Sequence, residues 1–443
     1  LTTGSAGMRR HRTVLEGLRS GDWISPARIR GYSILLLAMF AVALLALWTT
    51  GHGLLDAWGR PIGTDFADPY SAGRMALDGR AGAIHDYSTH YAEQRILFGG
   101  GDDQPFYAWS YPPIFLLFAT PFALLPYMPA LVAWLAATFA LYLAAIRTIL
   151  PQRLAFLAAS AFPAVFVTVS HGHNAFLTAG LLGLGLAKLE RNPWLAGLLL
   201  GCLAYKPHLG LVLPLVLAAG GHWKAFCGAA VSVVGLSALS VAAFGLEPWY
   251  AFFASGDDTR RFILEELSTG WFKIQSVFSA VRGLGGPLAL AYGAQALVSA
   301  AVLGALAWVW FLGSGRYAKA AACTGALLVT PYVLDYDMAV LGPALAFLAA
   351  RGLARGFRPY EKSLMLAAWV VPLLARPVAQ HLDLPIGLIV MAALFVFSVR
   401  GALTEEAARA AEPHRVRREA GAATGRGEAG RATGLSLARR ARP

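Results

Sequence analysis

Apolar runs of roughly 20 residues recur along the chain, each closed by proline, glycine or a short basic turn, and that spacing predicts membrane-crossing helices. The runs are unbroken Leu, Ala, Val and Phe stretches without strand-like alternation, so helices and not a closed barrel satisfy the backbone in lipid. The predicted crossings are Tyr32–Thr50, Tyr127–Ile146, Leu154–Ser170, Ala175–Leu189, Leu195–Tyr205, Pro207–Ala219, Ala225–Phe244, Pro287–Leu312, Ala320–Leu334, Met338–Ala350, Ser363–Leu374 and Leu384–Val399. Pro112–Leu125 is too short and proline-bounded, and is read as a partial or re-entrant helix. The expected fold is therefore an all-α polytopic bundle of about twelve spans with both termini on one side of the membrane.

Two polar segments interrupt the pattern. Residues 51–111 follow the first span and carry Asp65, Asp68, Asp78, Asp86 and Glu93, with short amphipathic helices expected at Asp68–Asp78 and His85–Phe98 lying at the membrane interface. Residues 245–286 form a second loop whose charges between Asp257 and Glu266 read as a solvated cluster. The division expected is a basic N-terminus over 1–31, a membrane domain over 32–400, and an Ala/Gly/Arg-rich disordered tail over 401–443. Arg9, Arg10, Arg12 and Arg19 precede the first span, which lacks a small-residue cleavage site and is read as an uncleaved anchor, with the start at Leu1 or Met8 left open.

Composition agrees: of 443 residues 57% are hydrophobic and 14% charged. The net charge of +12 would suggest nucleic acid in a soluble protein. Here the arginines lie in short turns and tails, where they orient a membrane protein. That rule puts both termini in the cytoplasm, and the membrane is expected to be the plasma membrane. It gathers Asp65, His171, His173, Lys206, His208, Glu247, Asp335 and Asp337 on the extracytoplasmic side. Polar chemistry collected at one face of a membrane protein marks a site. Cys202, Cys227 and Cys323 sit inside apolar runs and read as packing residues.

Asp65, flanked by Thr64 and Phe66, is either a general base or a helix cap; Asp68, preceding Pro69, is the better cap. Lys206 stands between two apolar halves of a hairpin, beside Pro207 and His208. A phosphate bound by Lys206 and His208 would explain it, as would a lysine snorkelling at a hairpin tip. His171-Gly172-His173-Asn174 is a polar turn without a visible third metal ligand, better suited to hydrogen-bonding a sugar or phosphate, or to a plain interfacial turn. Tyr332, Asp335 and Asp337 suit sugar recognition or helix capping. No P-loop or dinucleotide-binding glycine pattern occurs. A glycosyl donor would then not be a nucleotide sugar, and no nucleic-acid partner is expected.

Asp65-Phe66 with Tyr70, Ala72-Gly73-Arg74, Tyr87, Trp109-x-Tyr111-Pro112-Pro113, Pro121 and Leu124-Leu125-Pro126 together resemble glycosyltransferase family 87, membrane enzymes of the GT-C class. Gly172-His173-Asn174 stands where the family often has Gly-Gln-x-Asn. Lys206-Pro207-His208 is similar to its Lys-Pro hairpin, and Thr330-Pro331-Tyr332 with Asp335-Tyr336-Asp337 to its late segment, with Tyr332 where a histidine is common. The resemblance spans about residues 30–400 and implies a mannosyltransferase-like hexosyltransferase. It implies a polyprenyl-phosphate sugar donor, a glycolipid or glycan acceptor, inversion at the anomeric carbon, and Asp65 as the catalytic base. Lys206 and His208 would then hold the donor phosphate, and Tyr111, His173, Asn174, Tyr332, Asp335 and Asp337 the sugar or acceptor. No cofactor is required by such a reaction, and a divalent metal stays open. Competing readings are a transporter or flippase of lipid-linked sugars and an oligosaccharide polymerase or ligase, for which Arg260 and Arg261 speak.

Overall fold

The computed structural model describes residues 14–99 and 104–411. The arginines at 9, 10 and 12, residues 100–103 and the chain beyond 411 lie outside these residues. Among the described residues helices dominate and extended pairing is limited to isolated bridges, one of them joining Ile274 to Leu334.

Among the described residues seven helices are long and apolar enough to cross a membrane: Pro26–Thr49, Tyr127–Ile149, Trp223–Phe244, Leu288–Leu312, Asp335–Arg355, Glu361–Leu382 and Ile386–Ala411. An eighth arises if Arg153–Ser160 and Pro163–His171, bent by 50° at their junction, count as one span. The chain is thus a polytopic helical membrane protein, but the expected twelve crossings are not reached by helices of spanning length. Ala175–Lys188, Pro193–Tyr205, Pro207–Ala219 and Arg316–Leu328 are the short ones. At 1.5 Å per residue, 14 residues cover about 21 Å, against a hydrocarbon core of about 30 Å.

The breaks have local causes. Lys206 precedes Pro207 and takes φ −133°, ψ 68°, outside the helical region, because the proline ring crowds the residue before it. Gly172 ends Pro163–His171 at φ 66°, a conformation that costs a β-carbon dearly. Pro331 follows Arg316–Leu328.

These half-length pieces set the depth of the site. Gly197 packs on Ala225, and Gly201 on Ala229 and Ser232. The numbers rise together, so Pro193–Gly201 runs parallel to Trp223–Phe244, and Pro207–Ala219 must return between them as a hairpin. Lys206, five residues past Gly201, stands near the middle of that 22-residue helix. In the same way Gly180 packs on Leu141 and Tyr142, and Gly183 on Ala145. Ala175–Lys188 therefore runs parallel to the inner part of Tyr127–Ile149. The Trp134 indole donates to the carbonyl of Gly172 at 3.1 Å, two turns below Tyr127, whose hydroxyl donates to the carbonyl of Ile62 at 2.7 Å. The breaks at Gly172 and Lys206 thus fall about half-way along the long helices, and the Lys206–Asp337 contact brings the break after Pro331 to the same place.

Several boundaries differ from the sequence reading. The first span begins at Pro26, capped by Ser25, and carries Arg28 and Arg30 in its opening turns. The helices of the 51–111 loop are Ala67–Leu77, which is packed into the protein, and Tyr87–Phe98, which buries one face through His90, Gln94 and Phe98. Ala67–Leu77 is buried over most of its length, with Gly73 against Thr120 and Ala123 and the Tyr70 hydroxyl donating to the Leu125 carbonyl. At the other end of the bundle, Ile386–Ala411 continues past Gly401 into the stretch expected to be a disordered tail. Arg351 holds it there, with Nε donating to Glu405 Oε1 at 2.7 Å and Nη1 to the Gly356 carbonyl. The buried Glu361 accepts from the Tyr317 hydroxyl beside it.

Candidate active site

A cavity of about 810 Å³ opens over the three breaks. Asp65, Tyr111, His173, Lys206, His208, Tyr332 and Asp335 line it. Loop residues far apart in sequence thus converge with hairpin tips.

Asp65 sits in the short 3-10 turn Thr64–Phe66. Gly63, at φ 72°, enters that turn against Leu131, and Phe66 anchors it in a ring cluster with Tyr70, Tyr127 and Trp134. The carboxylate makes no hydrogen bond or ion pair among the described residues and caps no helix. Burial holds it above the usual carboxylate range, with His171 pulling it back, Asp335 pushing it up, and Lys273 and Lys206 pulling it down. Gly172 closes the turn from beneath: a β-carbon there would stand 2.7 Å from Phe66 Cβ and 2.9 Å from Leu131 Cδ1. Gly172→Ala is therefore expected to cost about 1–3 kcal/mol of stability and to lower activity by displacing Asp65. Thermal unfolding and transfer rates of the purified variant check both.

Lys206 is deeply buried, 2% exposed, and its ammonium pairs with Asp337 Oδ1 at 2.5 Å and reaches Asn174 Oδ1 at 3.4 Å. Asp337 Oδ2 accepts from the backbone N–H of Leu334 at 3.1 Å. Lys206 therefore does not snorkel, and its charge is balanced within the protein. Asp337 and Asn174, expected to bind sugar, lie behind the cavity wall as the partners of Lys206. They are placed there because the 172–174 and 334–337 breaks abut the hairpin tip. His173 stacks on Tyr336 at 3.5 Å between ring centroids, and its Nε2 is 3.4 Å from the Tyr111 hydroxyl. His208 Nε2 is buried and unpartnered among the described residues.

Four further cations line the cavity, Arg60, Arg260, Lys273 and Arg376. Arg376 Nη1 is 3.7 Å from Asp335 Oδ2, and Arg60 pairs with Asp56 at 3.3 Å. Lys273 makes no ion pair among the described residues; burial and Arg376 hold its ammonium below the usual lysine value. The 245–286 loop is therefore not simply solvated: Arg260, Ile263 and Lys273 wall the cavity, tied down by the Gln275 N–H on the Val333 carbonyl. The signal for Arg376 is present in the sequence, a lone charge between Pro372 and Pro377 in an apolar run, which is costly unless wetted or paired. Among the described residues no group of three or more His, Cys, Asp or Glu is arranged to hold a metal ion.

A polytopic helical protein whose cavity sets an unpaired carboxylate among cations at mid-bundle belongs, by class, with membrane proteins that work on polar, charged groups at lipid depth. Residues 109–331 match the model of glycosyltransferase family 87, and the chain belongs to that family. It is a membrane glycosyltransferase. The matched stretch includes Tyr111, His173, Asn174, Lys206, His208 and Lys273, while Asp65 and Tyr332–Asp337 lie outside it. No curated protein and no solved structure matches the chain.

Proposed function

We propose that the protein transfers a hexose, mannose foremost, from a polyprenyl-phosphate donor to a hydroxyl of a glycolipid or glycan acceptor on the extracytoplasmic face of the plasma membrane. The observation that carries this reading is the unpaired Asp65 carboxylate facing a cavity whose other walls hold Lys206, Lys273 and Arg376. One base and several cations suit a phosphate leaving group, which needs charge neutralisation and no general acid. A hydrolase would instead present two carboxylates flanking the bond. The half-depth position of the cavity suits a donor whose phosphate is fixed to a lipid chain.

In this reaction Asp65 takes the proton of the acceptor hydroxyl. The hydroxyl oxygen forms a bond to the anomeric carbon as the bond from that carbon to the phosphate oxygen breaks on the opposite face. The electron pair leaves with polyprenyl phosphate, and the product linkage is inverted. Since Asp337 balances Lys206, the excess charge of the leaving group falls mainly to Lys273, with Arg376 shared between it and Asp335. His208, unpartnered and at the cavity wall, supplies a further donor.

The test is incorporation of label from polyprenyl-phosphate [³H]mannose by membranes containing the protein. Label recovered in an acceptor lipid or glycan is the expected result, and label confined to the donor would sink the reading. The pH profile is a second prediction. A base with a raised pKa loses its anionic form as pH falls, so the acid limb of kcat/KM should lie above the ordinary aspartate value of about 3.9. Lys273 loses its charge as pH rises through its lowered pKa, so the alkaline limb should lie below the ordinary lysine value of about 10.4. A profile flat down to the ordinary aspartate value would remove Asp65 from the role.

A further inference from the structure

Asp68 is expected from its sequence position to be a helix cap, and the structure denies it that role. The N-cap position of Ala67–Leu77 is Phe66, and no side-chain cap bond forms. Asp68 lies in the first turn of that helix, one turn after Asp65, 5% exposed and on the cavity wall. Its Oδ1 is buried without a hydrogen-bond partner among the described residues. The nearest basic atom is His90 Nε2 at 3.8 Å, beyond hydrogen-bond length. That nitrogen is engaged elsewhere, 2.7 Å from Ser71 Oγ. Burial pushes the His90 ring down to about 3, so it carries no charge to offset a carboxylate. An unmet buried carboxyl is destabilising, and neither a cap nor an ion pair accounts for it here.

What surrounds Asp68 is chemically specific. The cavity wall beside it carries Phe106, Tyr111 and Tyr332. Phe106 is fixed edge-on to Tyr87 and His90, at 5.5 and 5.9 Å. Aromatic faces pack on the C–H surfaces of a pyranose, and a carboxyl at the cavity wall without a protein hydrogen-bond partner can bond one of its hydroxyls. Burial, with the Asp65 carboxylate adding to it, keeps Asp68 well above the usual carboxylate range. A neutral carboxyl both donates and accepts, matching the hydroxyl group.

We propose that Asp68 is a substrate-binding residue that hydrogen-bonds sugar hydroxyls in an aromatic-walled subsite adjoining Asp65. This deepens the glycosyl-transfer reading and rests on it for the identity of the sugar-bearing molecule, which is either the donor or the acceptor.

The experiment is steady-state kinetics of Asp68→Ala and Asp68→Asn in lipid nanodiscs, varying polyprenyl-phosphate mannose and acceptor separately. Asp68→Ala is expected to raise one KM at least tenfold, with a smaller change in kcat. Asp68→Asn, which keeps a donor and an acceptor, should recover most of that loss. A rise in donor KM puts the subsite over the transferred sugar, and a rise in acceptor KM puts it over the receiving one. The melting temperature of Asp68→Ala should equal or exceed that of the parent, since an unmet buried group is removed. Both KM values within twofold of the parent overturn the proposal, as does a lowered melting temperature with unmoved KM, which is the signature of a structural carboxyl. If the parent protein transfers no sugar, binding of n-octyl mannopyranoside to nanodisc-embedded protein, followed by saturation-transfer NMR, still decides the matter. At least tenfold weaker binding in Asp68→Ala supports the subsite, and equal binding removes it.

Discussion

Asp65→Asn should lower kcat for sugar transfer by about 10²–10⁴-fold, the range a positioned general base contributes, while leaving the melting temperature at or slightly above that of the parent. The amide has nearly the size and shape of the carboxylate, and the side chain makes no hydrogen bond or ion pair among the described residues that the change could break. What the amide lacks is the ability to take a proton. Its effect should therefore fall on kcat and not on KM for the donor. The measurement is transfer from polyprenyl-phosphate mannose by purified protein, with thermal unfolding recorded on the same sample. Activity within tenfold of the parent would move the base elsewhere. Of the other carboxylates on the cavity wall, Asp56 is paired with Arg60 and Asp335 is shared with Arg376, which leaves Asp68.

The second large effect concerns the pair beneath the cavity. Asp337→Ala leaves the Lys206 ammonium buried, 2% exposed, with Asn174 Oδ1 at 3.4 Å as its one remaining hydrogen-bond acceptor among the described residues. Removing one partner of a buried pair costs about 3–5 kcal/mol, a large part of the stability of a typical domain. The expected result is a sharp loss of folded protein in detergent. Joining Lys206→Met to Asp337→Asn removes both charges and keeps an acceptor for the Leu334 N–H, so that double variant should fold near parental yield. Its activity then assigns the lysine. A folded, inactive double variant gives Lys206 a part in neutralising the leaving group. A folded variant with parental turnover makes the pair a strut, and leaves the phosphate to Lys273 and Arg376.

Asp65 and Lys206 both stand out in the bare sequence, because a charge flanked by apolar residues in a membrane protein needs an explanation. The explanation differs between them. Sequence leaves Asp65 open between base and cap; in the fold it is uncapped and unpaired, facing the cavity. Sequence leaves Lys206 open between phosphate ligand and snorkelling cation. It is neither in the simple sense, because Asp337 is 131 residues away in the chain and only packing brings them together. Asp68 escapes a sequence reading for a related reason. A capping residue is recognised by its position before a helix, and here the helix starts one residue before Asp68, out of a 3-10 turn, with Phe66 at the cap. Lys273 reads as loop charge because burial of a loop depends on what folds over it.

Hydrophobic run length alone determined that this is a helical membrane protein. The order of the runs also determined where its breaks fall, since Pro207, Pro331 and Gly172 impose them whatever the surroundings. Depth and partnership were decided only by the tertiary structure. A 14-residue apolar run reads the same whether it crosses a bilayer or stops at its centre. Close packing at Gly197, Gly201, Gly180 and Gly183 sets the half-length helices parallel to full-length ones and so brings their broken ends to mid-bundle. Which cation meets which carboxylate there follows from that alignment, because ion pairing is decided by distances of a few ångströms and no sequence interval encodes them.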